Sequence, residues 1–440
     1  GDRRPCRRGP AVPSPARARS GAPRAAPGRV TFSGVLEPTR AGESLAPEVV
    51  IGVPAEPDRL AASEAAVALQ RALRDAFPGK TGLSLLLTGD PRGAAAPGEG
   101  VPPAGENGGP PAIYTGGGGP AAALPALLEV AVSLGAPGSA LLEPMPRPAD
   151  PHWLNTLLSP ILTGGFDLVA PAYTRGRYDG VLVTGVVYPL TRALFGQRLR
   201  QPLAAEIVVS RRFAERLLRE EEWRADASHG GADLWVISLA AGREHGLAQA
   251  FIGPRGRARA QPGDVSLMIS TVLGTVFQQM ELQAARWQRI RGSLPIPTVG
   301  DDRPPDDPGA PPARGPLVSA FALGWNDLQP LWKVVLPPQT LLALQRIPRE
   351  PPEAFRMPDA IWARVVYDFA VGWHARVMDR TQLLQSLTPL YLGWAASYVN
   401  EVAPLARAEV DARVERLCAA FEAEKPYLIS RWRWPDRFSP

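Results

Sequence analysis

The strongest constraint on this chain is an alternation of strand and helix patterns running from about residue 47 to residue 173. "PEVVIGVP" (47–54) is an apolar, β-branched run closed by Gly and Pro, which reads as a buried strand. In "DRLAASEAAVALQRALRDAFPG" (58–79), Ala62, Ala66, Leu69, Leu73, Ala76 and Phe77 recur at helical spacing before a Pro-Gly stop. "LSLLLTG" (83–89) is a second strand, so the β-α-β order predicts a parallel pair with a right-handed crossover. A Gly/Pro-rich loop over 89–120 holds one short extended piece near Ile113. After it come a helix despite Pro125, the strand "SALLE" (139–143), the helix "PHWLNTLLSPILTGG" and the strand "FDLVAPAY". The pattern predicts an α/β fold with a mostly parallel sheet.

Beyond residue 173 the elements are mixed, up to about residue 295. "PIPTVGDDRPPDDPGAPPARGP" then reads as a Pro/Asp-rich linker or loop, assigned to 296–316. From 317 to 440 the chain is helical, with three long segments at i, i+3, i+4 spacing. Residues 1–30, rich in Arg, Pro and Ala and without hydrophobic periodicity, read as a disordered tail. The expected domains are therefore that tail, an α/β domain over 31–295, the linker, and the helical region.

No apolar run approaches the ~18 residues that a membrane-spanning helix needs. Two cysteines, Cys6 and Cys418, supply neither a disulfide framework nor a cysteine metal cluster, and the expected location is the cytoplasm. The net charge of +5 owes much to the arginines of the tail, so nucleic acid is not an expected partner. The four histidines show no paired spacing, and His374, on an aromatic-rich helix, is expected to be a core residue.

The segment 175–210 is dense in polar residues where its apolar pattern implies burial. Tyr178, Asp179, Thr184, Tyr188, Arg192, Arg198, Arg200 and Gln201 all require partners there, which points to a site or a buried polar network. Asp179 and Arg192 read as a buried ion pair, because such a partner keeps a buried Asp charged.

Tyr178-Asp179-Gly180, the run Tyr188 to Gly196, and Arg200-Gln201-Pro202 resemble the hallmark segment of GT-A glycosyltransferases around glucosyl-3-phosphoglycerate synthase and mannosylglycerate synthase, and of bacterial family-2-like proteins near them. The resemblance covers about residues 47–290, and the later helices are similar to the helical C-terminal region of the family-2-like members. It implies a Rossmann-like, mostly parallel mixed sheet flanked by helices, with an α-helical C-terminal region. It also implies transfer of a sugar from a nucleotide-diphospho-sugar to a small hydroxylated or phosphorylated acceptor. On the same basis Pro54, Glu56, Asp90, Glu143, Arg147 and Arg255 fall at nucleotide-sugar positions. Tyr178, Asp179, Tyr188, Arg200, Gln201 and Glu206 fall at the acceptor or sugar pocket, and Asp233, Arg257 and Arg192 at catalytic positions.

The family's metal motif, Asp-x-Asp at a strand end, falls on Glu143, Pro144 and Met145, and its later histidine falls on Arg257. A divalent ion on a diphosphate needs hard oxygen ligands. One acid, a thioether and a guanidinium are a poor set, so no metal cofactor is expected and Mg or Mn is disfavoured. Fixed guanidinium groups stabilise a leaving diphosphate without an ion, which suits Arg255 and Arg257, although a solvated Arg-rich surface is the plainer reading of that loop. "TGGGGP" (115–120) lacks the lysine of the family's G-K-G loop and reads as a flexible loop. A catalytically inactive member used for binding or assembly is the alternative, and a homodimer is left open.

Overall fold

The computed structural model describes residues 35–37, 47–55, 59–79, 82–88, 112–115, 119–143, 150–202, 206–220, 236, 240, 246–254, 265–301 and 310–434. The expected tail 1–30, Glu56, Asp90, Arg147, Asp233, Arg255, Arg257 and residues 116–118 of the "TGGGGP" loop lie outside the described residues.

In chain order the strands are Val35–Glu37 (β1), Val49–Pro54 (β2), Gly82–Thr88 (β3), Ala112–Thr115 (β4), Gly138–Leu141 (β5), Leu168–Thr174 (β6), Ile207–Ser210 (β7), Leu247–Pro254 (β8) and Thr298–Val299 (β9). They form one sheet in the order β1-β4-β3-β2-β5-β7-β6-β8-β9. β2 and β3 make the expected parallel pair, with Val49 opposite Gly82 and Pro54 opposite Leu87. β7 runs antiparallel to both of its neighbours and joins two parallel blocks. Thr298 and Val299, inside the segment read as a linker, pair in parallel with β8.

Five helices accompany the sheet: Arg59–Ala76 (α1), Gly119–Ser133 (α2), Pro151–Leu162 (α3), Tyr188–Phe195 (α4) and Arg211–Leu217 (α5). The period-2 alternation of a strand sends successive side chains to opposite faces. Val49, Ile51 and Val53 therefore join the core packed by α1 and α3, while Val50 joins the core packed by α2 and α5. Asp150 caps α3, accepting the His152 N–H at 2.8 Å, with Pro151 at the first helical position.

Further helices are Val265–Leu282 (α6), Ala284–Trp287 (α7), Arg314–Asp327 (α8), Gln329–Val335 (α9), Pro338–Gln345 (α10), Asp359–Ala375 (α11), Arg380–Val402 (α12) and Arg407–Arg433 (α13). Their apolar faces do not close on themselves alone. Leu182, Val186, Val187, Leu190 and Leu194, from the polar-dense segment, belong to the same core as Trp362, Leu387, Trp394 and Phe421. The helical region thus packs directly on that segment.

The join is a π-helical turn, Val183–Val187, running into α4. Pro189 has no N–H to give the Gly185 carbonyl four residues back. The indole Nε1–H of Trp362 donates to that carbonyl instead, at 2.9 Å. At its other end α4 stops at Gly196, whose φ of 71° is the left-handed conformation glycine favours at a helix end.

Three buried cations, Arg413, Lys425 and Arg431, clamp α13 to its neighbours, the last of them on Asp368 at 3.1 Å. Arg413 pairs with Asp359 and Glu401. Lys425 donates to the carbonyls of Ala193 at 2.6 Å, Leu194 at 3.4 Å and Ile290 at 2.9 Å, which satisfies the end of α4. Burial, helped by the nearby Arg291 charge, lowers the Lys425 pKa to about 8. Between about pH 8 and the ordinary lysine value the unfolded chain then binds more protons than the folded one, so this group's contribution to stability rises with pH across that window. In denaturant melts at pH 7.5 and pH 10, the wild type should gain stability relative to Lys425→Met at the higher pH. A difference that shrinks or stays flat contradicts the assignment.

His374 corrects its expected core position. It lies exposed at the end of α11, stacked on Trp432 with ring centroids 4.2 Å apart. The indole covers one face of the ring, and Nδ1 lies 3.5 Å from Glu281 Oε1, so the ring is held at the helix end and not in the core.

Candidate functional site

In open α/β sheets ligands bind beyond the carboxyl ends of the parallel strands. Here that end is formed by Pro54 closing β2, by Leu142 and Glu143 following β5, and by Thr174 closing β6. The register aligns them: Gly52 lies opposite Leu141, and the Leu142 N–H donates to the Gly52 carbonyl at 3.0 Å. Pro54 is buried and Glu143 exposed. Glu206 immediately precedes β7, whose Ile207 faces Leu141, so this acid sits beside the end of β5. It is 2% exposed, and its Oε2 is buried without a hydrogen-bond partner among the described residues. Such an atom departs from the rule that buried polar groups are paired.

At the end of β6 is a cavity of about 90 Å³. Tyr173 and the loop after β6, with Arg175, Gly176, Arg177 and Asp179, form one wall, and Val183, Thr184 and Tyr188 of the π turn and α4 form another. Arg200 and Gln201 close a third side, and Tyr398 of α12 with Arg407, Val410, Asp411, Val414 and Glu415 of α13 closes the fourth. The volume is small against the ~300–1,000 Å³ of sites for drug-sized ligands, so the cavity suits a compact molecule and not a whole nucleotide-sugar.

Hydrogen bonds stitch the walls together. The Gln201 amide donates to the Tyr173 carbonyl and accepts from Arg175, each at 3.2 Å. Arg177 Nη1 donates to the carbonyls of Val402, Ala403 and Leu405 at 2.9–3.2 Å, satisfying the end of α12. Arg407 donates to the Arg175 carbonyl at 2.9 Å, and the Tyr398 hydroxyl to that of Arg177 at 3.3 Å. The loop from β6 is therefore shaped by α12 and α13 as much as by the sheet.

Arg192 lies behind the cavity, 3% exposed. Its Nη1 donates to Glu415 Oε2 at 2.6 Å and to the Tyr188 hydroxyl at 3.3 Å, while Nε donates to Glu422 at 2.8 Å and Ser293 at 3.0 Å. Burial opposes its charge, but the bonds to Glu415 and Glu422 outweigh that and raise its pKa. Tyr188 is pushed up to about 12 by burial and then by the nearby Cys418 and Glu415, so its hydroxyl stays protonated as a donor.

The expected Asp179–Arg192 ion pair does not form. Arg192 points to the two glutamates of α13, and the Asp179 carboxylate accepts the Gly176 N–H at 3.1 Å within its own loop. A helix whose glutamates lie 223 and 230 residues downstream supplies better-placed carboxylates than a neighbour in the same segment.

Of the sequence-derived pocket residues, Asp179, Tyr188, Arg200 and Gln201 line this one cavity. Tyr178 packs against the helical core and Glu206 sits at the strand edge. Glu415, Asp411, Arg407 and Tyr398 were not among the sequence candidates. A signal for the first three existed: residues 407, 410, 411, 414, 415, 418 and 422 share one face of α13, and that face mixes charges with apolar residues.

For a divalent ion, the positions that the family resemblance assigns offer Glu143, Met145 and Arg257. Met145 and Arg257 lie outside the described residues, and the donor chemistry of the three does not fit a cation that wants several oxygens. Among the described residues no three His, Cys, Asp or Glu side chains converge on a metal position. No helix of the described residues is long and apolar enough to cross a membrane.

No protein-family model matches the chain, and no curated protein matches it. Among solved structures it is similar to glucosyl-3-phosphoglycerate synthase from Mycobacterium tuberculosis in complex with Mn²⁺, UDP-glucose and phosphoglyceric acid, at 15% identity and TM-score 0.37, covering 55% of this chain and 84% of that one. The same synthase with Mn²⁺, UDP and glucosyl-3-phosphoglycerate aligns at 14% identity and TM-score 0.35, over 53% and 79% of the two chains. A mycobacterial protein aligns at 18% identity and TM-score 0.35, over 54% and 80%. At these values the likeness transfers no residue role and no ligand. The architecture is the one that the resemblance of segment 178–202 implies: a mostly parallel mixed sheet flanked by helices, followed by a helical C-terminal region.

Proposed function

We propose that this chain is a glycosyltransferase that moves a sugar from a nucleotide-diphospho-sugar to a small hydroxylated or phosphorylated acceptor without an Asp-x-Asp-bound metal. The observation that carries this reading is the coincidence of two things. The segment with the family resemblance builds a compact polar cavity, and that cavity starts at Tyr173 and Arg175, at the carboxyl end of β6. The nucleotide-sugar is assigned to Pro54 and Glu143 together with Glu56, Asp90 and Arg147, Glu206 belongs to the acceptor or sugar pocket, and the acceptor enters the cavity.

In the reaction the acceptor oxygen bonds to the anomeric carbon of the sugar as the bond from that carbon to the diphosphate breaks. The diphosphate leaves with the electron pair, and the acceptor's proton passes to a carboxylate. Arg255 and Arg257 take the place of an ion on the leaving group, and Asp233 orients the acceptor hydroxyl. Arg192 acts through Glu415 and Tyr188, holding one glutamate oxygen and the phenol in place on the cavity wall.

The test is a calorimetric and thermal-shift screen of UDP-, GDP- and ADP-sugars, with and without manganese and chelator, using 3-phosphoglycerate and glycerate as acceptors. The expected result is stabilisation by one nucleotide-sugar and transfer or slow hydrolysis that survives chelation, with Arg257→Ala reducing turnover at least tenfold, on the order of one lost charge-stabilising donor. No nucleotide binding at millimolar ligand sinks the reading. A second reading, a non-catalytic scaffold on the same fold, is favoured by the unfit metal donor set. It requires that no sugar nucleotide be turned over, so any measured transfer removes it.

A further inference from the structure

The cavity is lined by Arg175, Arg177, Arg200 and Arg407, and each of its acids is engaged differently. Asp179 accepts a backbone N–H at 3.1 Å, and Glu415 holds the buried Arg192 at 2.6 Å. Asp411 is held loosely: Oδ1 lies 3.4 Å from Arg200 Nη1 and Oδ2 lies 3.7 Å from Arg407 Nε. Charge-assisted N–H···O bonds are ordinarily ~2.7–2.9 Å. All three side chains keep between 35% and 39% of their surface exposed. Ion pairs this open contribute little, so one carboxylate bridges two guanidinium groups from separate elements without binding either tightly.

We propose that Asp411 is a specificity-determining latch: its carboxylate occupies the seat of a ligand oxyanion between Arg200 and Arg407, and a ligand must displace it to bind. The proposal rests on the reading of the cavity as a ligand pocket. It also states which anions succeed. A carboxylate carries the same charge as Asp411 and competes against a group tethered beside the two arginines, whose effective concentration is in the millimolar range or above. A phosphate near neutral pH carries close to two charges and more acceptor oxygens, so it wins the seat. The latch therefore makes the pocket selective for phosphoryl over carboxylate groups, and the displaced side chain turns away with the first turns of α13.

The experiment is calorimetric titration of the full chain with inorganic phosphate and, separately, acetate at constant ionic strength. The expected result is weak phosphate binding and no acetate binding by the wild type. Asp411→Asn should bind phosphate about three- to fivefold more tightly, the factor set by an exposed ion pair, and should gain measurable acetate binding. Adding Arg200→Gln to Asp411→Asn should remove that gain. Asp411→Ser gives the same readout should the Asn variant melt early. Equal phosphate affinity in wild type and folded Asp411 variants overturns the latch, as does equal binding of the two anions by the wild type. Absence of phosphate binding in every protein overturns it too, and is distinct from failure of the glycosyltransferase reading, which nucleotide binding decides.

Discussion

Gly185→Ala is expected to destabilise the chain by about 3 kcal/mol, the upper end of the usual cost of overpacking. A Cβ at this position overlaps the Cη2 and Cζ3 edge of the Trp394 ring, well within van der Waals contact. That ring has little room to move: it is 0% exposed and stacks on Trp362 and Tyr398, with centroids 5.5 and 5.4 Å away. The backbone is equally held, because the Gly185 carbonyl accepts from Trp362. The strain falls on the π turn that carries Val183 and Thr184 into the cavity wall, so ligand affinity should drop along with stability. Gly315→Ala is the control. Nothing lies within 4 Å of its added methyl, and in a helix the change should be neutral or stabilising by up to ~1 kcal/mol. Equal denaturation midpoints for the two variants would refute the packing described.

Arg192→Met should cost about 2–3 kcal/mol. Removing one partner of a fully buried pair costs ~3–5 kcal/mol. The carboxylates left behind, Glu415 and Glu422, are 42% and 23% exposed, so water recovers part of the loss. Replacing them as well, in Arg192→Met/Glu415→Gln/Glu422→Gln, should restore part of the stability because no unpaired charge remains. Urea melts of the wild type, the single and the triple variant decide this. A single variant within 0.5 kcal/mol of wild type, on the order of an ordinary surface change, means that the network does not clamp α4 to α13.

The parallel pair β2–β3 was legible because both strands are apolar runs flanking one amphipathic helix, and local periodicity is a property of neighbouring residues. The antiparallel strand β7 was not, since "IVVS" is four residues long and its direction depends on the partners that flank it. For the cavity, the same division holds. The pattern around Tyr188 and Arg200-Gln201 marked one side of it, but the assignment of Arg192 to Asp179 followed nearness in sequence, and Glu415 and Glu422 hold the arginine instead.

The amino-acid order alone determined the α/β alternation, the helical C-terminal region and the crowding of polar groups between residues 175 and 201, because each is written within one or two turns of chain. Only the tertiary structure decided that α13 closes the cavity and that Arg192 answers to its glutamates. It also decided that Asp411 joins Arg407, in its own helix, to Arg200, which lies at a sequence separation of 211. Ion-pair partners are chosen by distance in space and by the burial that helix packing imposes, and neither quantity is local to the chain.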